Sequence, residues 1–329
     1  MAYPVPQSSN KIVLIFIILI VFSAIFSFFA PIAISIISVF IFAGPHNWFE
    51  FRYFLGRLPG RPGKLWPWFF VSISGIAILS FYFILLTYLN FHDWIQESSF
   101  KQAVVIWNYL LIGWLAVLAY WRSLQNPRKN IRLLIPIFFL AICINGISPY
   151  FFGFLLIYLH PIMGILILDR EILKSRKCIL NAFRYSLVIV PIVIGVFWFY
   201  SSYAPNLPDS TEVSKAIIEN SGVDLFFGVS THFLVSTHVF LEILHYIIWI
   251  VFIPLIGWRS KPWELHKIPF AYTSIVGKRI IASLLGLGVF IVFLFWIAFM
   301  VDYAGTRQIY FTLAIIHVLA EFPFLIRIS

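Results

Sequence analysis

The sequence predicts an all-α, polytopic transmembrane helix bundle of about ten spans (eight to ten), and three observations predict it. Of 329 residues, 61% are hydrophobic and only 11% are charged. The apolar residues come in runs of about 18 to 25, the length that carries an α-helix across about 30 Å of hydrocarbon. Basic residues gather in alternate connections between those runs, the pattern of cytoplasmic loops.

In chain order the runs predict helices near 12–29, 31–52, 67–91, 102–122, 132–148, 150–169, 182–203, 225–257, 279–301 and 308–327. The first follows MAYPVPQSSNK. It is long enough to span and is read as an uncleaved helix rather than a signal peptide. The second contains GPHNWFE and leads into a loop with Arg57, Arg61 and Lys64. The third ends at HDWIQESSFK, which has a single lysine, and the fourth precedes Arg128 and Lys129. An uncharged turn at Gly146–Pro149 separates the fifth from the sixth, which is followed by Arg170, Lys174, Arg176 and Lys177. The seventh leads into acidic PNLPDSTEVSKAIIENSGVD. The eighth is too long for an upright span, with Ser230, Thr231, Ser236 and Thr237 loosening its outer part, and Arg259, Lys261, Lys267 and Lys278 follow it. Every connection agrees with one topology, with both termini and all basic loops cytoplasmic.

That orientation accounts for the net charge of +10, from 23 Lys+Arg against 13 Asp+Glu, so the basicity implies no nucleic-acid partner. Cys143 and Cys178 form neither a disulfide framework nor a CxxC metal motif. No Walker motif, Rossmann glycine pattern or internal repeat is present. Residues 1–329 therefore read as a single integral membrane domain with no soluble domain. The expected partners are membrane lipid, a lipophilic small-molecule substrate and other membrane proteins. The 37 Phe, 15 Tyr and 12 Trp suit lipid-facing and interfacial positions.

Three of the eight histidines are followed four residues later by glutamate: His46 with Glu50, His238 with Glu242, and His317 with Glu321. Composition alone predicts about 0.2 such pairs. The spacing puts both side chains on one helix face. A carboxylate at mid-membrane costs about 3 kcal/mol on insertion scales, and such residues usually face an interior or cavity and mark function. Self-neutralising packing between helices is the competing reading.

Counting 1.5 Å per residue from the cytoplasmic helix ends puts His46 and Glu321 about 9 Å deep, His160 and His317 about 15 Å and His245 about 20 Å, with His238 further out. Four helices thus supply histidines to one layer. Glu242 and His245 add the E-x-x-H spacing of bundle metal proteins. Imidazole suits iron, copper or zinc, and a His-rich set with carboxylate and no thiolate points first to non-haem iron. The expected metal ligands are His46, His160, His238, His245 and His317. Glu50, Glu242 and Glu321 are either ligands themselves or acceptors that fix the imidazole tautomers. His232 is an alternative ligand, while His92 and His266 read as solvated.

These residues resemble the Brp/Blh family, membrane-embedded dioxygenases that cleave β-carotene to retinal with histidine-held iron. GPHNWFE is similar to the family's early proline-histidine motif with an acid four residues on, with Glu50 in place of Asp. HVFLEILHYIIW corresponds to its late two-histidine helix, and AIIHVLAEFPFLIR to its last helix through His317, Glu321, Phe322 and Arg327. The family's histidine-phenylalanine-glycine motif is missing, with His160 of LHPIMGILILD standing in for it. The helix-8 histidines are spaced differently, and this chain has more spans.

The reading that unites these features is a membrane-embedded His-rich metalloenzyme, an iron-dependent oxygenase acting on a carotenoid- or isoprenoid-like substrate. A non-catalytic accessory subunit binding haem, chlorin or another pigment is the rival from a different class. A proton-coupled transporter using the His/Glu pairs as relays is the third.

Overall fold

A computed structural model describes residues 7–59, 63–125 and 134–328. Its α-helices are α1 (Gln7–Phe29), α2 (Pro31–Arg57), α3 (Trp66–Phe91), α4 (Glu97–Gln125), α5 (Leu134–Ile147), α6 (Pro149–Ser175) and α7 (Leu180–Ser186). They continue as α8 (Ile189–Ser201), α9 (Glu212–Asn220), α10 (Thr231–Ile247), α11 (Ile253–Ile256), α12 (Pro269–Thr273), α13 (Ile275–Val301) and α14 (Tyr303–Ile328). No strand occurs among the described residues. Nine helical stretches among them are long and apolar enough to cross a membrane, as a multi-pass integral membrane protein requires. Arg61, Arg128, Lys129, the start of the helix expected at 132 and the first residues of MAYPVPQSSNK lie outside the described residues.

Local sequence explains where the spans depart from expectation. The run at 182–203 divides into α7 and α8 with a turn at 187–188. Pro191 lacks an N–H and its ring clashes with the carbonyl of residue 187, so one continuous helix is disfavoured there. The eighth run begins at Thr231 rather than 225. Between α10 and α11, Ile248–Phe252 form a π-helical turn. Pro254 follows directly and cannot donate to the carbonyl of residue 250, which favours the wider turn. α5 has 14 described residues, about 21 Å of helix. The acidic loop contains a helix not foreseen from sequence, α9, which opens with a reciprocal capping box between Thr211 and Ser214 and packs Ile217 and Ile218 on Val235 and Val239 of α10.

The chain divides into two compact units. Unit 1 comprises residues 1–57 and 161–306, and unit 2 comprises residues 58–160 and 307–329. The chain passes from unit 2 to unit 1 within α6, at Pro161.

In unit 1, α10 packs against α1, α2 and α8, and α13 lies along α2. The span from α10 to α11 is 61% buried, more than any other span, which makes it the unit's central helix. Phe16 of α1 meets Phe252 edge-on at 5.0 Å between ring centroids. Arg52 of α2 is fully buried. Its guanidinium donates to the carbonyls of Pro262 (3.0 Å), Arg259 (3.1 Å), Lys261 (2.8 Å) and Glu264 (3.2 Å). Each such charge-assisted bond contributes about 1.5–3 kcal/mol, so Arg52 holds the loop after α11 onto α2.

In unit 2, Trp68, Leu79, Trp107, Leu111, Leu118, Phe152 and Leu319 form a core shared by α3, α4, α6 and α14. Gly75 gives Trp114 room to cross α3, because a Cβ there would overlap the indole, which donates to the Val71 carbonyl at 3.0 Å. Asn108 of α4 and Asn145 of α5 are both buried and hydrogen-bonded at 2.7 Å, so these apolar helices exchange polar groups with each other instead of exposing them to lipid.

Candidate metal centre

The predicted site residues fall in both units, and each unit gathers a cluster of its own. In unit 1, His46 and Glu50 of α2 and His245 of α10 offer ligand atoms within 4.8 Å of one another. All three side chains are buried, Glu50 completely and each imidazole to 2% exposure. The i, i+4 spacing aims His46 and Glu50 from one face of α2, and α10 presents His245 against them, with the two imidazole rings 5.4 Å apart.

The tautomer of His46 follows from its partner. Its Nδ1 lies 3.2 Å from the Phe42 carbonyl. A carbonyl can only accept, so Nδ1 carries the proton and Nε2 keeps the lone pair a metal would need. Gly164 of α6 stands beside His245, and a Cβ at that position would come within 3.1 Å of Nδ1. The glycine lets helix backbone approach the imidazole.

His238 and Glu242 belong to α10 but are absent from this cluster, whose ligand atoms come from His46, Glu50 and His245 among the unit's described residues. Glu242 instead accepts a hydrogen bond from the Tyr246 hydroxyl at 2.8 Å, and Tyr246 packs on His46 with ring centroids 4.5 Å apart. The E-x-x-H spacing therefore delivers the histidine to the cluster and the glutamate to a phenol. His232 lies against Phe28 at 4.8 Å and 3.4 Å from the Ser236 hydroxyl.

In unit 2, His160 at the unit boundary of α6 meets His317 and Glu321 of α14. The two Nε2 atoms are 3.1 Å apart, and His160 Nδ1 lies 2.9 Å from a carboxylate oxygen of the fully buried Glu321. The expected His317/Glu321 pair thus works across helices, its carboxylate reaching the imidazole of α6. Of the histidines read as solvated, His92 is exposed among Tyr88, Phe91 and Trp94, and exposed His266 lies 3.8 Å from Glu264.

Several polar residues were not singled out from sequence. Positions 46, 50, 53 and 57 share one face of α2, so Tyr53 and Arg57 continue the line begun by His46 and Glu50. Tyr53 donates to Glu171 of α6 at 3.0 Å, and Arg57 pairs with the other oxygen of that carboxylate. Glu171 is fully buried and lies seven residues beyond Gly164, on the same face of α6. Trp249, one turn after His245, links the two layers, with ring centroids 6.3 Å from His245 and 5.3 Å from Tyr53.

Two imidazoles and one carboxylate at these distances could hold a metal ion. Comparison of the chain with protein-family models, curated proteins and solved structures returns no match.

Proposed function

We propose that the protein is a membrane-embedded non-haem iron oxygenase acting on a long apolar, carotenoid- or isoprenoid-like substrate. The observation that carries this reading is the buried trio His46, Glu50 and His245. Two histidines and one carboxylate are the donor set of non-haem Fe(II) oxygenases, which leaves coordination positions open. His160, His317 and Glu321 bring a second pair of imidazoles and a carboxylate together in unit 2. The resemblance of GPHNWFE and of the last helix to the Brp/Blh family, and the membrane setting of the chain, support the same reading. We further propose that both termini and the basic loops face the cytoplasm.

When bound, iron would supply O₂ activation beside a substrate double bond. The chain's own residues do the rest. The Phe42 carbonyl holds the His46 Nδ1 proton and so presents Nε2. Gly164 sets the space beside His245. Trp249 and Tyr246, both buried, exclude water from the imidazoles, which strengthens every electrostatic interaction there.

Metal analysis and visible absorption of detergent-purified protein test this. Wild type is expected to hold stoichiometric iron with no Soret or chlorin band. His46→Ala and His245→Ala should each reduce iron at least tenfold, while His238→Ala should retain it. Absence of a stoichiometric transition metal, or iron content insensitive to both cluster substitutions, overturns the reading. The chain Glu321, His160, His317, spaced at 2.9 and 3.1 Å, favours one rival, a proton relay. Metal-free protein that moves protons in liposomes, and loses that flux in His160→Ala, would establish it instead.

A further inference from the structure

We infer that Trp249 and Tyr53 form a redox relay leading from the metal ligand His245 to the carboxylate of Glu171, an inference that rests on the iron reading above. The rings of His245, Trp249 and Tyr53 follow one another at 6.3 and 5.3 Å. Indole and phenol are the side chains most readily oxidised by one electron after the thiol, and both rings are at most 1% exposed. The Tyr53 hydroxyl donates to Glu171 at 3.0 Å, a carboxylate with no exposed surface.

This pairing is what a reversible phenol oxidation needs. An oxidised phenol is a far stronger acid than a carboxylic acid, so its proton must leave with the electron, and in a dry interior it needs an acceptor already in place. Glu171 is that acceptor, and Arg57 pairs with its second oxygen.

The step balances with O₂ as the oxidant. With iron bound and no substrate present, O₂ would be reduced to the peroxide level by two electrons, one from Fe(II) and one from the relay. That second electron would leave Trp249 by way of His245, and Tyr53 would refill Trp249. The Tyr53 O–H bond breaks, an O–H bond forms on Glu171, and Tyr53 is left as a neutral phenoxyl radical. The relay thereby moves a damaging equivalent two side chains away from the ligands.

The test uses full-length protein loaded anaerobically with Fe(II), assayed for iron, mixed with O₂ without substrate, freeze-quenched and examined by electron paramagnetic resonance. A tyrosyl spectrum is expected, narrowed when ring-deuterated tyrosine is incorporated. Tyr53→Phe, which keeps the ring and removes only the hydroxyl, should abolish the signal while retaining iron. Tyr310→Phe, at a buried tyrosine of unit 2, should leave it, and Trp249→Phe should slow its appearance at least tenfold. Iron-loaded wild type without a tyrosyl signal, or a signal that survives in Tyr53→Phe, overturns the relay alone. Wild type that holds no iron overturns the oxygenase reading and the relay with it.

Discussion

Gly164 sets how closely α6 approaches the His245 imidazole. A methyl group added there would lie 3.1 Å from Nδ1, closer than ordinary van der Waals contact, so the imidazole must rotate or α6 must retreat. Perturbing the groups that orient a ligating imidazole typically costs about 10–100-fold in metal affinity. If the proposed metal centre is correct, Gly164→Ala weakens metal binding by about that factor, measured by competition with a chelator. Gly195→Ala, at a position with open space around it, should leave binding unchanged. His46 and Glu50 were legible in the sequence because one spacing rule places them on one face. Gly164 was not, because closeness between helices distant in sequence leaves no periodic signal. Glu242 shows the limit of spacing from the other side. It is four residues from both His238 and Tyr246, and among 15 tyrosines nothing in the pattern marked the one that would take it.

At the scale of elements, apolar runs located the spans, and prolines decided their interruptions. Pro191 separates α7 from α8, and Pro254 follows the π turn that contains Trp249. Run length alone carries no information about either break. The loop after α11 is held in two ways that differ in their response to acid. Arg52 binds its carbonyls through a guanidinium that keeps its charge as pH falls. Glu264 accepts from Lys267 and interacts with Lys261, which hold its carboxyl below the ordinary carboxylate range. A carboxyl with a lowered folded-state pKa stabilises the fold above its ordinary value, and that contribution is lost as pH falls through the lowered value. Acidification from pH 7 through the carboxylate range should therefore speed amide exchange at 265–268, read by hydrogen-exchange mass spectrometry. The amides at 259–261 should stay protected while Arg52 is present. Faster exchange at both segments together would show that the two fastenings are one cooperative unit.

For the molecule as a whole, the charge pattern makes a prediction about sidedness. The exposed Cys178 follows the basic segment Arg176 and Lys177, whereas exposed Ser210 sits in the acidic loop. In oriented membrane vesicles, a membrane-impermeant maleimide is expected to label Cys178 only from the cytoplasmic face. Ser210→Cys in a Cys178→Ser background should label only from the opposite face. Labelling of both from one side would refute the proposed topology. The all-helical class was readable from composition and run length. The division into two units was not, because it depends on which distant helices pack together, and apolar periodicity does not encode the choice of partner.

The chain order of those units bears on biosynthesis. A ribosome completes residues 1–57 and then must make all of 58–160 before it reaches the remainder of unit 1, and unit 2 stays incomplete until residues after 306 emerge. Glu50 and His160 are therefore laid down in the bilayer well before His245 and Glu321, the side chains they later join. During that interval each early polar group must be sheltered by something other than its final neighbour, whether the insertion machinery, lipid headgroups or water. Nascent chains halted before residue 231 or before residue 307 are accordingly the stages at which this protein most depends on its cellular helpers.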